Sequence, residues 1–238
     1  MVKWFRGEIV MNNYNLQKFN AARKALEYVK DGMIIGLGSG STVEIFIKEL
    51  GKKIREEGMK IFGVPSSYQS YILALENGIN VVDFLQYSEL ELCVDGADQV
   101  DKNLNCIKGR GAALLREKII ASASKKVVII VDSTKYSESL NIDVPVEILP
   151  FSWGFVKREI EKIGGIAKLR QGTGKVGPVI TDNGNFIADC YFGKIEDAED
   201  LEVKLNRIPG VVENGIFPRR IIDVVIVGEE KEAQEITK

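Results

Sequence analysis

Between residues 95 and 118 the chain gathers the side chains that acid–base chemistry requires: Asp95-Gly96-Ala97-Asp98, then Lys108-Gly109-Arg110-Gly111-Ala112-Ala113-Leu114-Leu115-Arg116-Glu117-Lys118. The 238 residues include no histidine, so proton transfer near neutral pH falls to Asp, Glu or Lys. Glu117 is the best-placed base. On a helix over 111–124, its neighbours three and four positions away are Ala113, Leu114, Ile120 and Ala121, so no surface ion pair forms along the helix. A carboxyl group on such an apolar face loses water, and its pKa rises toward the range a general base needs. Pairing with a cation from elsewhere in the chain is the alternative. Lys108, beside a flexible Gly-Arg-Gly loop, offers a point charge suited to an oxyanion. Asp95 and Asp98 follow an apolar strand, at the sheet edge where open α/β folds place ligands. A turn in which both aspartates bond their own backbone would use the same residues.

A second cluster suits anion binding. In Gly36-Leu37-Gly38-Ser39-Gly40-Ser41-Thr42 the glycines allow a sharp turn with exposed amides, and the following helix aims its positive end at the loop. No lysine follows as in a Walker A loop, and Ser41 stands where a dinucleotide fingerprint has its third glycine. The next strand end reads Val64-Pro65-Ser66-Ser67, with no acid to hold a ribose diol. The hydroxyls of Ser39, Ser41 and Thr42 suit a phosphate monoester. A capping box between Ser41 and Glu44 is the purely structural reading. Lys135, after Asp132-Ser133-Thr134 at another strand end, is a further candidate for substrate oxygens.

These groups need a scaffold, and the apolar pattern supplies one. Helical spacing is expected over 15–29, 43–50, 68–76 and 111–124, alternating with strands over 33–36, 61–64, 80–82, 91–94 and 126–131. That alternation implies a Rossmann-like, mostly parallel sheet with helices on both faces. After residue 143 the rhythm changes. Strands over 144–149, 167–170, 179–181, 186–191 and 211–216, with helices over 154–163 and 198–207, read as a βαββαβ, ferredoxin-like α+β unit. Asp182-Asn183-Gly184-Asn185 is the expected hairpin turn. The expected division is 1–143 with 218–238 as the catalytic domain, 144–217 as an insert, and 222–227 as the last sheet strand.

Composition bounds the partners. A net charge of −2 with both signs interspersed gives no field for nucleic acid or an anionic membrane. The longest apolar runs are strand-sized, far short of the roughly 20 residues of a membrane span. Residues 1–11 lack a secretory apolar core, and Glu8 argues against a transit peptide. Cys93, Cys106 and Cys190 are odd in number and without metal spacing, so they read as core residues of a cytoplasmic protein.

Taken in order, the glycine loop, Asp95-Gly96-Ala97-Asp98, the stretch from Lys108 to Lys118 and Asp132-Ser133-Thr134-Lys135 closely resemble the A-type ribose-5-phosphate isomerases. Arg170-Gln171-Gly172, Thr181-Asp182-Asn183-Gly184-Asn185 and Ile208-Pro209-Gly210-Val211-Val212 extend the likeness through nearly the whole chain. The resemblance implies an aldose–ketose isomerase that interconverts ribose 5-phosphate and ribulose 5-phosphate in the pentose phosphate pathway. It implies Glu117 as the base between C1 and C2, Lys108 at the enediolate, and Asp95 and Asp98 on the sugar hydroxyls and in ring opening. Substrate contacts are implied for Ser39, Gly40, Ser41, Thr42, Gly96, Ala97, Gly109, Arg110, Gly111 and Lys135. Lys18 aligns with a phosphate-contacting lysine by helix register. The family works without metal or organic cofactor, as homodimers or homotetramers. About a dozen residues precede the first helix, where family members often begin, and Met11 is an alternative start.

Three other readings are weaker. A sugar-phosphate sensor related to DeoR-type effector domains would carry an N-terminal helix-turn-helix, for which the residues before the first helix are too few. A coenzyme A transferase would show a motif for its nucleotide tail. An NAD-dependent dehydrogenase would carry the missing acid after the second strand.

Overall fold

The computed structural model describes residues 13–174 and 176–237, together with the backbone of β1 (Trp4–Phe5) and β2 (Glu8–Ile9), which pair antiparallel. Met11 lies outside the described residues. Helix α1 (Asn13–Ala25) leads into β3 (Ile34–Leu37), α2 (Ser41–Glu57), β4 (Phe62–Pro65), α3 (Tyr68–Glu76), β5 (Asn80–Val81) and β6 (Leu92–Asp95). Two short strands, β7 (Gln99–Asp101) and β8 (Cys106–Ile107), precede α4 (Leu114–Ser122), β9 (Val127–Asp132) and β10 (Tyr136–Ser137).

The strands β5-β4-β3-β6-β9-β16 form a parallel sheet, with β16 at Val224–Gly228. Numbered along the chain, that is the doubly wound order 3-2-1-4-5-6, whose direction reverses between β3 and β6. Alternation along each strand sends side chains to opposite faces. Ile35, Leu37, Leu92, Val94, Val128 and Ile130 pack under α1 and α2 with Phe46, Ile47 and Leu50. Cys93, Val127, Ile129 and Val131 face the other way, against Ile120 and Ala121 of α4. Both faces are therefore covered, and the strands read as nearly continuous apolar runs.

The expected last strand is not the last: β17 (Ala233–Thr237) returns antiparallel along β16 and forms the sheet edge. Its polar composition carries no strand signal; a tight turn, with Glu229 N donating to Glu232 O at 2.8 Å, sets its register instead.

From Val144 the chain builds β11 (Val144–Ile148), α5 (Trp153–Lys162), β12 (Ile166–Leu169), β13 (Phe186–Tyr191), α6 (Ala198–Asn206) and β14 (Val211–Asn214). The antiparallel order β14-β11-β13-β12 is that of a βαββαβ unit, closed over its own core of Val146, Ile148, Val156, Ile160, Ala188 and Leu205. Segment 179–181 makes no strand. Only an isolated bridge joins Ile180 to Phe186, because Thr181, Asn183 and Asn185 turn their side chains onto Glu147.

The expected strand over 211–216 is likewise cut at Gly215, and β15 (Ile216–Phe217) leaves to join β8 in a third sheet, β10-β7-β8-β15. A Cβ on Gly215 would lie 2.2 Å from the Lys108 carbonyl oxygen, so only glycine lets the two backbones meet there. Among the described residues no helix is long and apolar enough to cross a membrane.

Candidate active site

The loops after β3 and β6, the two strands at the reversal of strand order, open side by side into a cleft of about 510 Å³. Ligands of open α/β folds bind at this reversal. At Gly38 the approach is so close that a Cβ would fall 1.9 Å from an Asp95 carboxylate oxygen. The Asp95 Oδ1 instead accepts from the amides of Ser39 at 3.1 Å and Gly96 at 2.7 Å.

Lys108 and Glu117 meet because the helix between them starts late. Ala112 has φ 61°, in the left-handed region, so residues 109–113 fold as a turn and α4 begins at Leu114 rather than at residue 111. The Lys108 amide bonds Gly215 O at 2.8 Å, and Arg170 of the α+β unit donates to the carbonyls of Gly109 and Arg110 at 3.0 and 2.9 Å. The turn is thereby gripped from both sides.

The lysine is 3% exposed. Its Nζ lies 2.9 Å from Asp95 Oδ2, 3.1 Å from Glu117 Oε2 and 2.6 Å from Gly96 O. The Phe217 ring, 5.1 Å away, backs it. Burial opposes its charge, but Asp95 and Glu117 outweigh burial and raise its pKa.

Glu117 is buried, and desolvation, with the nearby Asp95 charge, pushes its carboxyl up to about 8 against the pull of Lys108. Both sequence explanations therefore operate: the apolar helix face removes water, and a distant lysine supplies a partner. The ammonium that approaches Glu117 Oε2 at 3.1 Å is also held by Asp95 Oδ2 and Gly96 O at shorter distances.

The glycine loop forms the other wall. Gly40, with φ 100°, is the N-cap of α2. No Ser41–Glu44 capping box forms; Ser41 Oγ accepts from Lys18 Nζ at 2.9 Å, and Glu44 pairs with Lys48 along the helix. Ser39 Oγ lies 2.7 and 2.6 Å from the hydroxyls of Ser66 and Ser67, and Gly40 N donates to Gln69 Oε1 at 3.0 Å. The capping box belongs to α3 instead, between Ser67 and Ser70.

Ser39, Gly40, Ser41, Thr42, Gly96, Ala97, Asp98, Lys108, Gly109, Arg110, Gly111, Glu117, Lys135 and Lys18 all line the cleft. Asp98 also accepts from Arg110 N at 2.9 Å. Asp95 does not line it: only 2% exposed, it stands behind Lys108 with its carboxylate already engaged. Val179 to Asp182, Ser67 and Gln69 also line the cleft and are not among the site residues expected from sequence, nor is Arg170, which braces the turn beside Lys108. The signals lay in the Ser66-Ser67 pair at a strand end and in the family-like segments Arg170-Gln171-Gly172 and Thr181 to Asn185, to which no site role was given.

Fold and cleft together define an α/β protein that can hold a small anionic molecule beside a buried carboxyl–lysine pair. The family model described as ribose 5-phosphate isomerase A (phosphoriboisomerase A) matches residues 62–232. The curated ribose-5-phosphate isomerase A of Archaeoglobus fulgidus is 61% identical over 219 residues, 91% of this chain and 97% of that protein. The solved ribose 5-phosphate isomerase A of Methanocaldococcus jannaschii superposes with a TM-score of 0.89 at 43% identity, covering 93% of this chain and 98% of that one. A D-ribose-5-phosphate isomerase solved in complex with phospho-erythronic acid gives 0.91 at 45%, over 96% and 100% of the two chains. The chain belongs to the ribose 5-phosphate isomerase A family. These comparisons lend no support to the sugar-sensing alternative.

Proposed function

We propose that this cleft carries out the reaction of the family, interconversion of D-ribose 5-phosphate and D-ribulose 5-phosphate, with the following division of labour. The phosphate is held by the loop Ser39 to Thr42, through the hydroxyls and amides of Ser41 and Thr42 at the positive end of α2, and by Lys18 and Lys135. Asp98 faces the sugar hydroxyls and assists ring opening. Glu117 takes the proton from C2 of the open-chain aldose and returns it to C1, while Lys108 stabilises the enediolate that forms between these steps. Asp95, behind the lysine, keeps Lys108 charged and aimed; its burial favours that positioning role over the direct sugar contact expected from sequence.

The observation that carries this reading is the buried Glu117 carboxyl, raised to about 8, beside Lys108 in a cleft that the glycine loop also lines. Aldose–ketose isomerisation needs a base of raised pKa next to a cation, and a phosphate grip that supplies binding energy. A relative has been solved in complex with phospho-erythronic acid, a compound that carries both a phosphate and a carboxylate, the two kinds of anion that the glycine loop and Lys108 suit. We further assign the chain to the cytoplasm, as a homodimer or homotetramer without nucleic-acid partners. The three buried free cysteines support a reducing compartment.

The test is a coupled assay on the purified chain without added metal. Turnover of ribose 5-phosphate is expected, and Glu117→Gln should lower kcat by about 10²–10⁴-fold, the range for lost general acid–base catalysis. Full activity in that variant would sink the assignment.

A further inference from the structure

Glu147, on β11, is fully buried, yet among the described residues no lysine or arginine pairs with it. Its Oε1 accepts three hydrogen bonds: from Thr181 Oγ1 at 2.9 Å, Asn183 Nδ2 at 3.1 Å and Asn185 Nδ2 at 2.9 Å. Oε2 has no donor. A carboxylate in that setting is costly unless the groups it gathers must be held. The three donors define one short loop, Thr181 to Asn185, whose start forms part of the cleft wall.

The loop makes a bridge. Asp182 Oδ2 accepts from Tyr68 N at 2.9 Å, at the first residue of α3. From that first turn Ser67 reaches Ser39 Oγ, and Gln69 accepts from Gly40 N, both in the glycine loop. On the other side Asn183 Oδ1 accepts from Arg116 Nε at 2.7 Å, and Arg116 also donates to Asp182 O at 3.0 Å. Hydrogen bonds, linked through the backbone of Thr181 to Asn185 and of Ser67 to Gln69, thus connect Glu147, inside the α+β unit, to the glycine loop on the parallel sheet.

We infer that Glu147 is a positioning residue for substrate binding: it fixes the strap Thr181 to Asn185, which holds the first turn of α3 against the glycine loop. This rests on the assignment of that loop as the phosphate grip. The effect belongs to binding rather than to chemistry, because Glu117 has its own supports in Lys108 and the body of α4. Glutamine keeps the accepting oxygen and replaces only the oxygen that has no donor, so it satisfies the strap. Leucine fills the volume and offers no acceptor.

The experiment compares Glu147→Gln, Glu147→Leu and Asp182→Ala for KM, kcat and melting temperature. The dissociation constant of ribose 5-phosphate is measured by calorimetry in the Glu117→Gln background. Glu147→Leu should raise KM and the dissociation constant about tenfold, the cost of re-forming a preorganised contact on binding, and change kcat less. Glu147→Gln should restore both constants to within about twofold of the unmodified chain. Exposed Asp182 can be truncated without opening the core, so Asp182→Ala should raise KM at unchanged melting temperature and carries the test if Glu147→Leu does not fold. The inference falls if Asp182→Ala leaves KM unchanged, if folded Glu147→Leu binds like the unmodified chain, or if glutamine is as damaging as leucine. The binding constants do not depend on which group moves the proton. Activity surviving in Glu117→Gln would therefore overturn the base assignment alone.

Discussion

Lys108 and Lys118 share one aromatic ring, their ammonium groups 5.1 and 5.0 Å from the centre of Phe217, and both are almost completely buried. Each faces two carboxylates. Lys108 has Asp95 and Glu117, and Lys118 has Glu213 at 2.7 Å and Glu202 at 3.6 Å. Their pKa values nevertheless move in opposite directions. For Lys108 the two acids outweigh burial and the value rises; for Lys118 burial wins and it falls.

The carboxylates make the difference. Lys108 has both carboxylates close, at 2.9 and 3.1 Å, whereas Lys118 has one at 2.7 Å and the second only at 3.6 Å, and the positive Arg220 stands against that second acid, Glu202. One lysine opens on the cleft; the other closes the seam between α4, α6 and β14. A buried lysine–carboxylate cluster is therefore not by itself an active site. What sets the Lys108 cluster apart is an acid of raised pKa that lines the cleft.

The largest contrast should appear in turnover. Loss of the base in Glu117→Gln removes about 10²–10⁴-fold from kcat, and Lys108→Met, which removes the enediolate cation, about 10²–10³-fold. Lys118→Met should leave kcat within about threefold while lowering stability by about 3–5 kcal/mol, the cost of breaking a buried pair. Steady-state kinetics beside chemical denaturation separates the two; a Lys118 variant as inactive as the Lys108 variant would erase the distinction.

Next in size is the dependence on pH. With Glu117 as the proposed base, active as the carboxylate and raised to about 8, kcat/KM should climb close to tenfold per pH unit below 8 and level off above it. Stability follows the opposite course. A carboxyl raised from 4.5 to about 8 on folding favours the folded state fully below 4.5, and this contribution is lost as pH rises through 8. Thermal melts should accordingly show Glu117→Gln gaining on the unmodified chain as pH increases from 5 to 9. Parallel curves would mean that Glu117 titrates normally.

The smallest effects belong to the anion loop. Ser41→Ala and Thr42→Ala each remove one hydroxyl and should raise KM about three- to tenfold with little change in kcat. A fall in kcat at constant KM would place these residues with the chemistry rather than with the phosphate.

Much of this was legible in the chain. Alternating apolar runs of strand and helix length have few ways to bury themselves, and a doubly wound sheet is the commonest. Its strand ends then placed Gly38 and Asp95 on one edge. Glu117 could be singled out because helical spacing alone showed its neighbours to be apolar. The polar strand β17 could not, since its pairing depends on a turn and on an available sheet edge. Nor could the late start of α4, which hangs on the backbone angle of Ala112, a residue with no preference for it.

By itself, then, the sequence determined the sheet, the βαββαβ unit and the set of reactive groups, because hydrophobic period and residue type are local properties. Tertiary structure decided which groups touch. It put Asp95 behind Lys108 rather than in the cleft, used Gly215 and Arg170 to seat the lysine, and brought a buried glutamate of one unit into contact with a loop that borders the other. Burial and distance set those roles, and both arise only when segments far apart in the chain pack together.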